Sequence, residues 1–108
     1  MATFDDFWES LKTGLEALVE KSWNTYKNAA LIDGQSFLDK SKDSLVDWTQ
    51  QLSKGEITKE DFEWNVAGLK DLAELNALEE AGLAKAAFDT FTNGLIDLVV
   101  STACKVFL

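Results

Sequence analysis

Histidine, arginine and proline do not occur in this chain, and cysteine occurs once, as Cys104. Without histidine there is no ordinary general base near neutral pH, no middle member for a nucleophilic triad and no imidazole ligand for a transition metal. Without arginine the bidentate reader of phosphate, carboxylate and guanine edges is missing. A lone cysteine forms neither an internal disulfide nor a cysteine-based zinc site within one chain, and points to a reducing compartment. The lack of proline leaves glycine and capping residues as the boundary markers.

Positive charge is scarce: 10 basic residues, all lysine, face 19 acidic ones, for a formal net charge of -9. Nucleic acid is excluded as an expected partner, because it is held by clustered cations that neutralise phosphates. Asp5, Asp6 and Glu9 stand where a secretory signal would need positive charge and then an apolar run. The charge-free runs Thr90 to Ile96 and Leu98 to Cys104 are far shorter than the roughly 18 residues that mark a membrane span. A soluble, cytoplasmic chain with no transmembrane segment is the expectation.

Cofactor chemistry finds no footing either. The paired acids Glu60-Asp61 and Glu79-Glu80 read as solvated surface charge, and a di-iron carboxylate site would need Glu-x-x-His pairs. Asp33-Gly34-Gln35 is too short for a calcium loop. Gly68, Gly82 and Gly94 are too widely spaced for a phosphate loop. No metal, cofactor or catalytic residue is expected, and the chain is read as a non-enzyme.

What is present is helix-forming material. The 108 residues are 46% hydrophobic and 11% aromatic, enough for one core in one domain without disulfides. Thr3 with Asp6 forms a shortened capping box, followed by the stripe Phe4, Trp8, Leu11, Leu15 and Leu18. That stripe resumes one step over at Val19, Trp23, Tyr26 and Ala30. Asp33 and Gly34 mark a break, Ser36 offers a new cap, and Leu38, Leu45, Trp48 and Leu52 lead to a left-handed cap at Gly55. Thr58 with Asp61 opens a third helix, with Ile57 stapling to Phe62. The spacing predicts an all-α antiparallel bundle of three or four helices, near 4–31, 36–54, 58–81 and 83–107. A turn near Gly82 separates the last two, which otherwise fuse into one long helix.

A straight third helix places Phe62, Val66, Leu69 and Ala73 on one face, at about 100° per residue. Trp64, Leu75 and Leu78 then point the opposite way. In the last helix Phe88, Phe91, Leu95, Leu98, Thr102 and Val106 form the inner stripe, while Ile96, Val100, Cys104 and Phe107 lie outside it. That is more apolar surface than a lone small bundle readily hides. Trp64, Leu75, Leu78, Ile96, Val100 and Phe107 are therefore the candidate interface, for a second copy of the chain or for a protein partner. The alternative is a bundle that holds an apolar small molecule or lies on a lipid surface.

Overall fold

The computed structural model describes residues 2–108, which form α-helices and short 3-10 turns with no β-strand among the described residues. The all-α bundle expected from the periodicity is what is observed. Its helices are α1 (Phe4–Ser22), α2 (Lys27–Ser53), α3 (Lys59–Ala67), α4 (Asn76–Glu80) and α5 (Phe88–Phe107). The expected break at 31–36 is absent, whereas the expected turn near Gly82 is present, with Gly82 at φ +99° and α5 starting at Phe88.

α1 begins at its expected cap. The Thr3 hydroxyl accepts from the Asp6 N–H at 3.3 Å, and the Asp6 carboxylate accepts from the Thr3 N–H at 3.0 Å. This satisfies two donors that a helix start otherwise leaves open. The helix buries Phe7, Trp8, Leu11, Leu15 and Val19, a stripe turned slightly from the expected one, with Phe4 and Leu18 at its margin.

The first break falls at Trp23, not at Asp33-Gly34. The Trp23 N–H closes α1 on the Val19 carbonyl at 2.8 Å, and the Asn24 side chain turns back to the Glu20 carbonyl at 3.3 Å. A 3-10 turn over Asn24–Tyr26 then leads into α2. The one-step shift of the apolar stripe at Val19 is the sequence trace of this corner. α2 runs uninterrupted through Gly34 and Ser36 for 27 residues, about 40 Å at 1.5 Å per residue, which matches the 43 Å long axis of the molecule.

Asp33 and Gly34 look like breakers because their use is tertiary. A Cβ on Gly34 would sit 2.7 Å from Leu15 Cδ1 and 3.2 Å from its Cδ2, so the glycine allows α1 and α2 to approach closely. Gly34→Val is expected to cost about 1–3 kcal/mol by overpacking, more than the small gain in helix propensity returns. Thermal unfolding checks this: a higher Tm for the variant would mean that the approach is not limiting. The Asp33 carboxylate accepts from the backbone N–H groups of Ala77 at 3.2 Å and Leu78 at 2.7 Å. It therefore caps α4 across 44 residues of sequence, in a buried setting. α2 ends at Gly55, whose φ of +74° lets the Glu56 N–H return to the Gln51 carbonyl at 2.9 Å.

Residues 58–87 depart most from expectation. In place of one helix over 58–81 there is α3, a 3-10 turn over Gly68–Leu72, extended backbone at Ala73, the short α4, a turn, and a 3-10 turn over Lys85–Ala87. The reason lies in the leucines: Leu69, Leu75, Leu78 and Leu83 are all buried, as are Phe62 and Val66. On a straight helix Leu75 and Leu78 would lie about 120–180° away from Phe62 and Val66. Breaking the helix turns both groups onto the same core.

Pairings along the helices fix their directions. Leu15 meets Gly34 and Lys42 lies over the Trp8 ring, so α1 and α2 are antiparallel. Leu98 meets Gly14 and the Phe7 and Phe107 rings lie 5.7 Å apart, so α1 and α5 are antiparallel as well. The α3–α4 segment packs on α2 and α5. α5 is thus contacted by α1, α2 and α3, which accounts for its wide apolar circumference. No buried side-chain polar atom lacks a hydrogen-bond partner among the described residues; the Ser41 and Thr49 hydroxyls donate to the Phe37 and Leu45 carbonyls at 2.8 and 2.7 Å.

Candidate functional site

The phase of α3 is set at its first turn. The Thr58 hydroxyl accepts from the Asp61 N–H, and the Asp61 carboxylate accepts from the Thr58 N–H, both at 3.1 Å. Ile57 packs against the core just before this cap, and Phe62 and Val66 are fully buried one turn apart. With that face inward, Trp64 lies two residues from each, about 200° around the helix, and is 82% exposed. The other three tryptophans are all engaged within the subunit. Trp8 is buried under Lys42, Trp23 meets Phe91 edge-on at 5.1 Å, and Trp48 packs partly on the core.

Beside Trp64 runs an open groove between α3 and α5. Lys59, Glu63 and Ala67 line one wall, and Ile96, Val100 and Cys104 the other, with Asp97 and Ser101 at its edge. The spacing of four on each helix shows that the groove runs along both of them. Ile96 and Val100 are half-buried: their inner sides touch the core and the remainder is open to solvent. Gly68 has nothing within 4 Å of where a Cβ would stand, and Leu72, one turn further on, is 36% exposed. Trp64, Gly68 and Leu72 thus follow one another at four-residue spacing, all exposed.

The six expected interface residues divide three ways. Ile96 and Val100 line the α3–α5 groove, and Trp64 stands exposed on α3 next to Glu63, which lines the facing wall. Leu75 and Leu78, at 7% and 0% exposure, are consumed by the subunit's own core, beneath α2. Phe107 packs on Phe7 at the α1–α5 contact, away from the groove. Ile32, 62% exposed on α2 beside Gln35, Ser36 and Asp39, is an apolar surface residue that periodicity did not single out, because it falls where the helix was expected to end.

The electrostatics of this surface are acidic. Glu60 and Asp61 lie one turn before Trp64 on the same helix, Glu63 is adjacent, and Asp97 stands on the far wall; all are exposed. The lysine that lines the groove, Lys59, pairs with Glu63 at 3.9 Å. Cys104 is a free thiol at the groove's end. Among the described residues no three cysteine or acidic side chains converge as a metal ligand set, and no helix is long and apolar enough to cross a membrane. No family model matches the chain, and no curated protein or solved structure shows significant similarity to it.

Proposed function

We propose that this chain is a non-enzymatic interaction protein, a rigid helical bundle that presents Trp64 and the α3–α5 groove to a protein partner or to another copy of itself. The observation that carries this is the exposure of one tryptophan, 82%, in a chain whose other tryptophans are packed. Scattered single apolar residues are ordinary on protein surfaces. Trp64 is different in its position on α3 between Glu63 and Ala67, both of which line a groove whose other wall carries Ile96 and Val100. Buried tryptophan anchors are worth about 2–4 kcal/mol in interfaces.

The rigidity of the platform supports the same reading. The capping box at Thr58 and the buried Phe62 and Val66 lock the turn that carries Trp64, which lowers the ordering cost of binding. The non-enzymatic part of the reading rests on the lack of histidine and arginine. A cytoplasmic setting fits the single cysteine, a free thiol. An enclosed site for an apolar small molecule has weaker support, since the groove beside Trp64 lies open to solvent.

Trp64→Glu is expected to leave Tm within a few degrees of the parent and to abolish association. Sedimentation velocity over a wide concentration range reads self-association. Affinity capture with the parent as bait and Trp64→Glu as control reads a partner. A chain that stays monomeric and retains nothing that the variant does not also retain would sink the docking reading.

A further inference from the structure

The occupant of the groove follows from its charge, a step that rests on the docking reading above. We propose that the α3–α5 groove receives a basic, amphipathic protein segment, with one of its arginine or lysine side chains lying over the Trp64 ring. Glu60, Asp61 and Glu63 lie within one turn of Trp64 on α3, Asp97 lines the groove from α5, and the lysine that lines the groove, Lys59, is already paired with Glu63 at 3.9 Å. An indole face attracts cations through its quadrupole, within about 6 Å of the ring centre. A guanidinium stacked there also reaches carboxylates one helical turn away, where it pairs through two parallel hydrogen bonds. The chain uses this chemistry internally, with Lys42 Nζ 4.9 Å from the centre of the Trp8 ring.

The same charges decide against a second copy. Each copy carries -9 and no arginine, and a twofold axis through the groove would bring Glu60, Glu63 and Asp97 towards their own counterparts. A basic segment instead neutralises the rim while its aliphatic side chains pack between Ala67 on one wall and Ile96 and Val100 on the other. Along α3 the groove runs from Lys59 to Ala67, about 12 Å, so it accommodates about two helical turns of the segment.

The test is a titration of the isotope-labelled chain by two-dimensional nitrogen–proton NMR. One probe is a synthetic helical peptide of about 15 residues with leucine on one face and arginine or lysine on the other; the second carries glutamine at every cation. The basic peptide is expected to shift the Trp64 indole N–H and the amides of Ile96 and Val100. Its affinity should weaken about tenfold or more when salt is raised from roughly 50 to 300 mM, as screening predicts. Trp64→Ala, Glu60→Lys and Asp97→Lys should each weaken it at least fivefold or so, while Trp64→Phe retains binding.

Equal binding of the glutamine peptide at Trp64, indifferent to salt and to Glu60→Lys, overturns the basic partner while the docking reading stands. Shifts scattered over the acidic surface without Trp64, or none at all, overturn the basic partner too. A concentration-dependent dimer that Trp64→Ala disperses and that excludes the basic peptide assigns the groove to a second copy. Melting curves of all variants confirm that the fold is retained.

Discussion

Phe91→Ala is expected to remove about 3–5 kcal/mol of stability, the usual cost of emptying a fully buried phenylalanine site. The ring is 0% exposed and meets Trp23 edge-on at 5.1 Å and 88°. Trp23 is the residue at which α1 ends and the chain turns into α2. The Phe91 ring therefore ties the α1–α2 corner to the start of α5, and its loss leaves a cavity beneath Trp23. A domain of this length has about 5–15 kcal/mol in total, so the variant should sit near the edge of folding, with Tm lower by about 10–25 °C. Urea unfolding of parent and variant measures the effect. A loss below about 1 kcal/mol would mean that the corner is not held by this contact.

The second large effect is expected from Asp33→Ala, about 2–4 kcal/mol. The carboxylate is 4% exposed and is the acceptor for the Ala77 and Leu78 N–H groups. Removing it strands two backbone donors at the start of a helix five residues long, which has no side-chain cap of its own. Hydrogen bonds to a charged acceptor contribute about 1.5–3 kcal/mol each, and an unsatisfied buried donor costs about as much again; partial access of water to Ala77, which is only half-buried, holds the sum below that ceiling. Asp33→Asn keeps one carbonyl oxygen and should lose roughly half as much. Hydrogen exchange locates the effect: the Ala77 and Leu78 amides should exchange much faster in Asp33→Ala, ahead of the α1–α5 core. Unchanged protection of those two amides would mean that α4 is held by its leucines alone.

Both variants report on the same architectural choice. The α3–α4 segment is short helical pieces seated by Leu69, Leu75, Leu78 and Leu83 and clipped to α2 by Asp33. The exposed Lys40–Glu74 pair, at 3.2 Å, adds little to this, since such pairs are worth about 0–1 kcal/mol. Trp64 sits on the best-anchored piece, next to the capping box. Loosening α4 is therefore expected to leave the local geometry of the candidate site in place.

Much of this was legible in the residues. The capping pairs Thr3/Asp6 and Thr58/Asp61 mark helix starts to the residue, because the signal is a local hydrogen bond three positions long. The Gly55 ending is legible for the same reason, and Trp64 stands out because it opposes Phe62 and Val66 within two turns. What was not legible has a common cause. Asp33 and Gly34 have the chemistry of helix breakers, and only the proximity of Leu15 and of the α4 N-terminus turns them into packing and capping residues. Leu75 and Leu78 count as excess surface only if the helix from Thr58 stays straight.

Composition and local pattern by themselves determined that the chain is helical, acidic, without histidine chemistry, and started and stopped at particular caps, because those are properties of residue types and of neighbours within one helical turn. The tertiary structure alone decided where the long helices break, which leucines are core, and that Trp64 rather than Phe107 is left facing solvent. Helix propensity changes by less than about 1 kcal/mol per residue for everything but proline, whereas seating one leucine in the core is worth about 1.5–3 kcal/mol. Where the two disagree, between Gly68 and Ala87, the burial of Leu69, Leu75, Leu78 and Leu83 outweighs the helix they interrupt.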